Sequence, residues 1–530
     1  MKKEFKEYEK ALSHLSKGDK LAALEIFRAV HSAGGELAPK ALLYLLDTLG
    51  ALGKESECVP LLEQACSQYP GIDVWPARLS RILMHQGEFE RAIAWADKTL
   101  AINPGHPVAF INRASWLAAR SPDPDQVRRL FESWGQRFMD PLTERASPLP
   151  KRSLARDRKL KVGYVSGDLK NHSVRYFIEP FLRGHDREQF EVHAFMTMAH
   201  DKITPVLQPL VDHWFDVEHL DDAALLDLIR QQEIDILVDL SGHTQGQRLA
   251  VFAMRAAPVQ VTWFGFMQTL GMKAMDWRLT DVGMCPPGSE SHFTEKLYRL
   301  ECMAAYTPPL NSDAQYPSPY HQNGFVTMIS LNHSRKFSDE ILAVWRDILL
   351  AHPMSALVVI GMDTDPDLAQ ATLAPRLQAV GLPMDRVSIA PRLSIIQFMN
   401  MASIADFALD SYPTSGGTTT LHTLWMGLPI VAVDDPQHGS AGSSTAATLR
   451  GVQLGECVAD SLDGYRQLAS RWISDPSVID RLRERCRPAL AGSALMNHTA
   501  RVAEVERAYR FMWNAHVDAA QVYESKAETV

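Results

Sequence analysis

The spacing of apolar residues divides the chain into two regions. In roughly the first hundred residues apolar positions recur every three or four residues, as at Leu79, Leu83 and Met84. That period predicts amphipathic helices. From about residue 160 onwards, short apolar runs alternate with helical stretches, and we interpret the runs as buried strands; they are KVGYVS, FEVHAFMT, IDILVDL and VQVTWFG. An all-α region is therefore expected before an α/β region.

The helical region repeats itself. Gly18, Gly53 and Gly87 are 35 and 34 residues apart, and Pro70 and Pro104 are 34 apart. A helix–turn–helix unit with a period of about 34 residues is typical of tetratricopeptide (TPR) repeats. A solenoid of such repeats has a concave groove that often holds a peptide or protein. The alternative is that these few units only cap or dimerise the rest of the chain.

The strand pattern restarts after residue 323, with the runs FVTMIS, SALVVIG, RVSIA, DFALD and PIVAV. Strands that alternate with helices form parallel sheets with right-handed crossovers. The restart predicts two such sheets, in two facing Rossmann-like domains. Ligands of such folds bind in the crevice at the carboxyl ends of the strands.

These patterns predict five segments. They are a TPR-like helical domain over 1–120, a proline-rich and basic linker over 121–158, a first Rossmann-like half over 159–322, a second Rossmann-like half over 323–495, and a C-terminal helix and tail over 496–530. We expect the basic cluster of the linker to be a solvated face.

Composition excludes several classes of protein. The chain has 530 residues, of which 46% are hydrophobic and 22% charged, so we expect a globular protein. A net charge of −9 argues against a chain that coats nucleic acid or anionic membranes. The N-terminus lacks an apolar signal region and no apolar run is long enough for a span, which predicts a cytoplasmic protein. The six cysteines form no CxxC pair, and buried reduced thiols are expected.

The segment DSYPTSGGTTTLHTLWMGLPIV, from Asp410 to Val431, carries the clearest chemical signal. It predicts a strand end, a glycine turn and a helix that begins near Thr418. Backbone N–H groups and the hydroxyls of Thr418, Thr419 and Thr420 would lie at the positive end of the helix dipole, which suits a diphosphate. An ordinary threonine N-cap is the alternative. The chain has no GxxxxGK[ST] sequence, which argues against an ATPase.

Two further side chains follow predicted strands, and a third, His213, precedes the strand-like run WFDV. Lys336, in LNHSRKFSDE, is either a cation for a leaving diphosphate or a solvated lysine. His172, in KVGYVSGDLKNHS, is either a base for an acceptor hydroxyl or a capping or packing histidine. His213 is a similar candidate at a strand edge. Histidine spacing of the HExxH kind and carboxylate clusters are absent from the sequence, so no metal is expected.

Several of these segments together resemble one family. KVGYVSGDLKNHS, ILVDLSGHTQGQR, APVQVTWFGFMQTLG, LNHSRKFS and LDSYPTSGGTTTLHTLWMGLPIV, in this order behind TPR repeats, are similar to the O-linked N-acetylglucosamine transferase family, which includes SPINDLY-type proteins and bacterial members. The resemblance covers about 159–512 and the repeats. It implies an α/β GT-B fold behind an all-α TPR solenoid. It also implies inverting, metal-independent sugar transfer from a nucleotide donor to a protein side chain.

The resemblance also implies roles for individual residues. His172 matches the family histidine near the donor sugar and acceptor, His213 matches a second cleft histidine, and Lys336 matches the lysine that stabilises the departing diphosphate. The expected donor-binding residues are the phosphate-binding turn, the neighbours of the base and one asparagine, which are Gly417, Thr418, Thr419, Thr420, His422, Pro391, Leu393 and Asn332.

Three positions depart from the family pattern. His422 stands where many relatives have an acidic residue that holds the ribose, Ile395 where animal enzymes have a lysine on the base, and Ala441 where a basic residue is common. The donor is therefore open: UDP-N-acetylglucosamine leads, followed by UDP-glucose, GDP-fucose and a nonulosonic acid donor.

The expected function is protein O-glycosylation without a cofactor, on an acceptor protein held in the TPR groove, with a homodimer as one arrangement. Two alternatives remain from the residues. One is a glycosyltransferase that acts on a small molecule or glycan, and the other is a TPR and GT-B scaffold that has lost catalysis.

Overall fold

The structure is a computed structural model that describes residues 2–310 and 312–527. Residues 1, 311 and 528–530, which include the ends of the first and last predicted domains, lie outside it. The chain forms two compact units, one of Met1–Trp116 with Ile329–Phe398 and the other of Leu117–Met328 with Met399–Val530. Each unit therefore combines segments that are distant in the sequence.

The α-helices are α1 Lys2–Ser16, α2 Lys20–Ser32, α3 Ala38–Ala51, α4 Cys58–Gln68, α5 Val74–His85, α6 Phe89–Ile102, α7 Pro107–Ala118, α8 Pro124–Trp134, α9 Asp140–Glu144, α10 Arg175–Gly184, α11 Thr204–Leu207, α12 Asp222–Gln231, α13 Leu249–Ala253, α14 Tyr320–Asn323, α15 Asp339–Ala351, α16 Pro366–Ala379, α17 Ile395–Met399, α18 Thr418–Trp425, α19 Gly439–Gly451, α20 Leu462–Ser474, α21 Pro476–Ala491 and α22 His498–Ala527.

The strands are β1 Leu160–Ser166, β2 Phe190–Met196, β3 His213–Asp216, β4 Ile236–Asp239, β5 Val259–Thr262, β6 Trp277–Asp281, β7 Lys296–Leu300, β8 Thr327–His333, β9 Ala356–Ile360, β10 Val387–Ala390, β11 Phe407–Leu409, β12 Ile430–Val433 and β13 Val458–Ala459. They form a seven-stranded sheet in the order β3-β2-β1-β4-β5-β6-β7 and a six-stranded sheet in the order β10-β9-β8-β11-β12-β13. Two parallel sheets behind a helical N-terminal region confirm the predicted fold class.

The first unit joins the repeats to part of the second sheet. The helices α1 to α6 share a core that includes Phe27, Leu45 and Leu83. The repeat glycine Gly53 has a φ of +71° and ends α3. Its carbonyl oxygen accepts a hydrogen bond from the Thr364 N–H at 3.2 Å, so the turn inside the second repeat packs directly on the segment that follows β9.

In the second unit the long helix α22 closes the first sheet. Tyr509 and Trp513 are fully buried in the core of that sheet. A buried hydrogen-bonded chain joins α22 to β1: the Tyr164 hydroxyl lies 2.8 Å from His185 Nε2 and 3.1 Å from the Tyr509 hydroxyl, and His185 Nδ1 lies 3.0 Å from Glu506 Oε1. The C-terminal helix is therefore part of the core of the Rossmann-like half.

A bilayer-crossing helix would have to be long and apolar along its length. No helix in the described part of the chain meets both conditions.

Candidate active site

A cavity of about 760 Å³ lies within the second unit. The first sheet and its helices contribute Phe177, Phe264, Met267 and Asp281 to its wall, and the segments after β11 and β12 contribute Gly417, Thr418, Leu421, Asp434, His438 and Ser443. Its volume falls in the range typical of ligand pockets. Because it opens at the ends of β6, β11 and β12 where parallel strands finish, it occupies the place where such folds bind ligands.

The turn between β11 and α18 is held in place by buried hydrogen bonds. The Gly416 N–H donates to Asp410 Oδ1 at 2.9 Å, and the Tyr465 hydroxyl donates to the Asp410 carbonyl oxygen at 2.9 Å. The Ser415 hydroxyl donates to the carbonyl oxygen of Ala441 at 2.8 Å. The position that departs from the family's basic residue therefore anchors the glycine turn through its backbone.

The N-terminus of α18 opens onto the cavity. Gly417 occupies the N-cap position, and no side chain caps the helix. Thr418 is half-buried on the cavity wall, whereas the hydroxyl of buried Thr420 is 2.9 Å from that of Thr445. The first N–H groups of a helix need an acceptor outside the helix. An anion at Gly417 and Thr418 would supply one, and the helix dipole favours it.

A second helix begins at the same cavity, and the sequence reasoning overlooked it. The Ser443 hydroxyl donates to Asp434 Oδ1 at 2.8 Å, and His438 Nδ1 lies 2.8 Å from Asp435 Oδ2, so the loop before α19 and its first turn are fixed. The run HGSAGSS after the β12 strand was the available signal, because glycines and serines at the carboxyl end of a parallel strand commonly contact a ligand. Of this run, the sequence analysis singles out Ala441 alone.

His422 is not on the cavity wall. It is 5% exposed, and its Nδ1 lies 2.7 Å from the hydroxyl of Tyr306, while the ring of Tyr176 meets it edge-on at 4.7 Å. Burial lowers the pKa of His422 to about 3, so the imidazole is neutral. The histidine that replaces the family's acidic residue is thus packed into the interior.

His172 lies just after β1, with Asp168 beside it. Its Nδ1 is 3.5 Å from Asp168 Oδ1, and the Val174 N–H donates to the same nitrogen at 3.4 Å. The His172 side chain is 45% exposed, but partial desolvation by the surrounding protein lowers its pKa, and the negative charge of Asp168 opposes that shift. Burial in turn raises the pKa of Asp168. The pair has the composition of an oriented general base.

The sequence resemblance places His213 in the cleft. In the structure it lies on a strand at the edge of the first sheet. It is the first residue of the edge strand β3, three residues upstream of the carboxyl end of that strand. Its Nε2 lies 3.1 Å from Glu191 Oε1, and its ring centroid lies 4.5 Å from that of His193. The strand register therefore joins His213 to Glu191 and His193 rather than to the residues that follow β1.

The remaining predicted residues lie in the first unit. Asn332 is buried near the end of β8, and Lys336 ends a 3₁₀ turn that follows that strand. Ser338 then caps α15, because its hydroxyl accepts from the Ile341 N–H. The half-buried residues Pro391 and Leu393 directly follow β10. All four are therefore near or beyond the carboxyl ends of strands.

Comparison with known proteins identifies the lineage. The family model described as glycosyl transferase family 41 matches residues 141–305 and 301–505. The chain belongs to glycosyl transferase family 41.

Named relatives agree with that family. The chain is 35% identical over 367 residues to the protein of Arabidopsis thaliana called probable UDP-N-acetylglucosamine–peptide N-acetylglucosaminyltransferase SPINDLY, a match that covers 68% of this chain and 40% of that protein. The SPINDLY protein of Oryza sativa subsp. japonica is 33% identical over 433 residues, which cover 80% of this chain and 46% of the relative. The matches thus span less than half of these plant proteins.

One solved structure covers both chains almost completely. A mutant of the O-GlcNAc transferase of Thermobaculum terrenum is 33% identical, with a TM-score of 0.88 over 98% of this chain and 99% of that one. The likeness confirms the GT-B fold behind a TPR solenoid. The resemblance drawn from the sequence motifs is confirmed by all three comparisons.

Proposed function

We propose that this family 41 protein is an inverting glycosyltransferase that moves a sugar from a nucleotide donor to a protein side chain, with UDP-N-acetylglucosamine as the leading donor. The observation that carries the proposal is the uncapped start of α18, at Gly417 and Thr418, on the wall of a cavity large enough for a ligand. The names of the relatives support the choice of sugar and of a peptide acceptor.

In this proposal the start of α18 takes the charge of the diphosphate. An acceptor oxygen forms a bond to the anomeric carbon while the bond from that carbon to the phosphate oxygen breaks, and negative charge collects on the departing diphosphate. Preorganised donors at such a charge are worth most in a site that excludes water. The N–H groups of Thr418 and Thr419 and the hydroxyl of Thr418 are oriented before the reaction by the hydrogen-bonded turn behind them. No metal is needed in this scheme.

The proton of the acceptor hydroxyl goes to His172 or to a donor phosphate oxygen. His172 suits the role because its lowered pKa keeps the imidazole neutral, and Asp168 Oδ1 lies 3.5 Å from Nδ1. The carboxylate would favour the tautomer with its proton on Nδ1, which leaves Nε2 able to accept. A neutral base with an orienting carboxylate is the usual form of general-base assistance. The histidine would then carry the proton while the glycosylated product leaves.

Lys336 is proposed as a further cation for the leaving diphosphate, on the strength of the family motif LNHSRKFS. The loss of one preorganised donor of developing charge typically costs about 10² to 10³ in kcat. Lys336→Ala should therefore reduce transfer by about that factor. Lys151→Ala, at an exposed position in the linker before β1, serves as the control that should leave transfer unchanged.

The repeats are proposed to hold the acceptor protein. The turn between the two helices of the second repeat packs on the 329–398 segment through Gly53 and Thr364, so the repeats are supported by part of the second Rossmann-like half. A variant without residues 1–116 would expose that buried surface, so substitutions on the groove are the better test of acceptor binding.

The first experiment is thermal stabilisation of the purified protein by UDP, GDP, CMP and their sugar conjugates, followed by a transfer assay with peptides and saccharides. At about 100 times the dissociation constant, a ligand specific for the folded state adds close to 3 kcal/mol. Stabilisation by UDP and label on a peptide support the proposal. Stabilisation by GDP or CMP alone changes the donor to fucose or a nonulosonic acid. No stabilisation by any nucleotide contradicts the proposal and favours a scaffold.

A further inference from the structure

Three ligand-type side chains meet on one face of the first sheet. In β2 and β3 the parallel register pairs His193 with His213, and Glu191 stands two residues before His193. Residues two apart in a strand point to the same face, and residues paired across strands do too. The strand pattern therefore brings a carboxylate and two imidazoles together at the edge of the sheet.

The ligand atoms of this group converge. His193 Nε2 lies 3.0 Å and His213 Nε2 lies 3.1 Å from the same Glu191 oxygen, Oε1. One atom from each of the three residues can be chosen so that all lie within 4.8 Å of one another. With metal–ligand bonds of about 2.0–2.2 Å, the edges of a tetrahedral site are about 3.3–3.5 Å. The two distances to Glu191 Oε1 are thus within a few tenths of an ångström of such edges, and the two imidazole nitrogens lie no more than 4.8 Å apart.

Packing fixes the buried ring of His193 and leaves His213 accessible to solvent. The His193 side chain is 1% exposed, and the ring of Phe215 stacks on it at 6.2 Å. Its Nδ1 has no hydrogen-bond partner among the described residues, so the polar contact of this buried ring is the one at Nε2, directed at Glu191. His213 is 46% exposed and provides the route from solvent.

The positive charge nearest in register is held elsewhere. Lys161 pairs with Glu191 in the sheet, but its Nζ lies 3.5 Å from Glu233 Oε2 and donates to the Gln232 carbonyl oxygen at 3.1 Å. The position beside His193 on β1 is Gly163, which has no side chain. The Lys161 ammonium group is therefore bound to Glu233 and Gln232 and is not paired with Glu191.

We propose that Glu191, His193 and His213 bind one divalent transition-metal ion, of the Zn²⁺, Ni²⁺ or Co²⁺ class, with water completing its coordination. Two imidazoles and one carboxylate suit these borderline ions. Without the ion each Nε2 carries the ring proton, because it faces a carboxylate oxygen that can only accept. For a ring to bind the ion through Nε2, that proton passes to Nδ1 or to solvent. The ion joins the edge strand β3 to β2. The site shares no residue with the cavity at α18.

The test is titration of the purified full chain, its thiols blocked, with Ni²⁺ or Co²⁺ by calorimetry, and the Co²⁺ absorption spectrum reports the ligand field. We expect one ion per chain. His213→Ala and Glu191→Gln should each weaken binding at least tenfold, and both positions are exposed enough for the fold to tolerate the change. His200→Ala is the matched control, because His200 contacts a single carboxylate, that of Asp216, near an aromatic ring.

Binding that survives both His213→Ala and Glu191→Gln, or that falls equally in His200→Ala, would assign the ion to another place and overturn the inference. Absence of binding would overturn it directly. As a second measurement, the ion should raise the unfolding temperature of the wild type and of His200→Ala but not of His213→Ala. Stabilisation by nucleotides is measured separately on the same samples, so failure of the metal site and failure of the proposed transferase function are distinguishable.

Discussion

Substitutions of Thr418 can separate the effect of charge on ligand binding from the effect of side-chain size. It is the first residue of α18 and is half-buried on that wall. In Thr418→Glu the helix dipole stabilises the added carboxylate by about 0.3–1 kcal/mol, so the unfolding temperature should not fall. The same charge repels a diphosphate, and calorimetry should show UDP binding weakened at least tenfold. Thr418→Gln has nearly the same size without the charge. An equal loss in both variants would mean that size, not charge, is responsible.

The lowered pKa of His172 predicts where the rate of transfer falls on the acid side of its pH profile. Its burial lowers the pKa below the ordinary value of about 6.5, and only the neutral ring accepts a proton. The acid limb of the kcat/KM profile should therefore have its midpoint below pH 6.5. Asp168→Asn removes the charge that favours the imidazolium, so the midpoint should move further down. His172→Ala should lower the rate by about 10² to 10⁴ and abolish the limb. A limb unmoved in Asp168→Asn would contradict the pairing.

The position of a site residue could be predicted from the sequence where it depends on neighbouring residues. It could be predicted less well where it depends on residues distant in the chain. The glycine pair and threonines predicted the start of α18 at Thr418, because that signal lies within a few residues. The burial of His422 depends on Tyr306, 116 residues away, and was beyond sequence patterns. His213 lies with Glu191 and His193 because of strand register, which only the assembled sheet defines.

At the scale of elements, the turn between α3 and α4 tests how the repeats are attached. A Cβ on Gly53 would lie 2.2 Å from the Thr364 hydroxyl oxygen, whereas a Cβ on Gly18 would meet nothing within 4 Å. Both glycines have positive φ, 71° and 79°, so alanine costs a similar 1–2 kcal/mol of backbone strain at each. In urea unfolding, Gly53→Ala should lower the free energy of unfolding by about 1–3 kcal/mol more than Gly18→Ala does. Equal losses would show that Thr364 moves aside freely.

The elements themselves followed from the sequence more fully than their contacts. Apolar spacing of three and four predicted the repeat helices, and short apolar runs predicted the strands of both sheets. The partners of these elements did not follow, since Asp363 and Thr364 lie over 300 residues from Ser56 and Gly53, which they contact. Such pairs depend on the folded surface and not on periodicity.

At the scale of the whole molecule, buried histidines predict sensitivity to acid. Burial lowers the pKa of His243 and of His422 to about 3, against about 6.5 in the unfolded chain. The unfolded chain therefore binds more protons as the pH falls from 6.5 towards 3. Stability is fully present above pH 6.5 and is lost below it by about 1.4 kcal/mol per pH unit for each histidine.

The carboxyls of Asp168, Asp239 and Asp281 work in the other direction, because burial raises the pKa of each. Burial raises the pKa of Asp239 to about 6, so below that pH it offsets roughly one histidine. Urea unfolding at pH 7, 6 and 5 should still show a decline, and His422→Asn should make the curve shallower. A free energy of unfolding that is flat over this range would contradict the burial of these rings.

The composition of the first compact unit also has a consequence for synthesis on the ribosome. The unit is complete only when residue 398 has been made, although its repeats end at residue 116. At about 5–20 residues per second, the 282 residues from 117 to 398 take roughly 14 to 56 seconds. Because the repeats have a hydrophobic core of their own, they form a helical stack early. During that interval the surface that will meet Thr364 faces water, and it is then that a nascent chain of this kind is most open to chaperones.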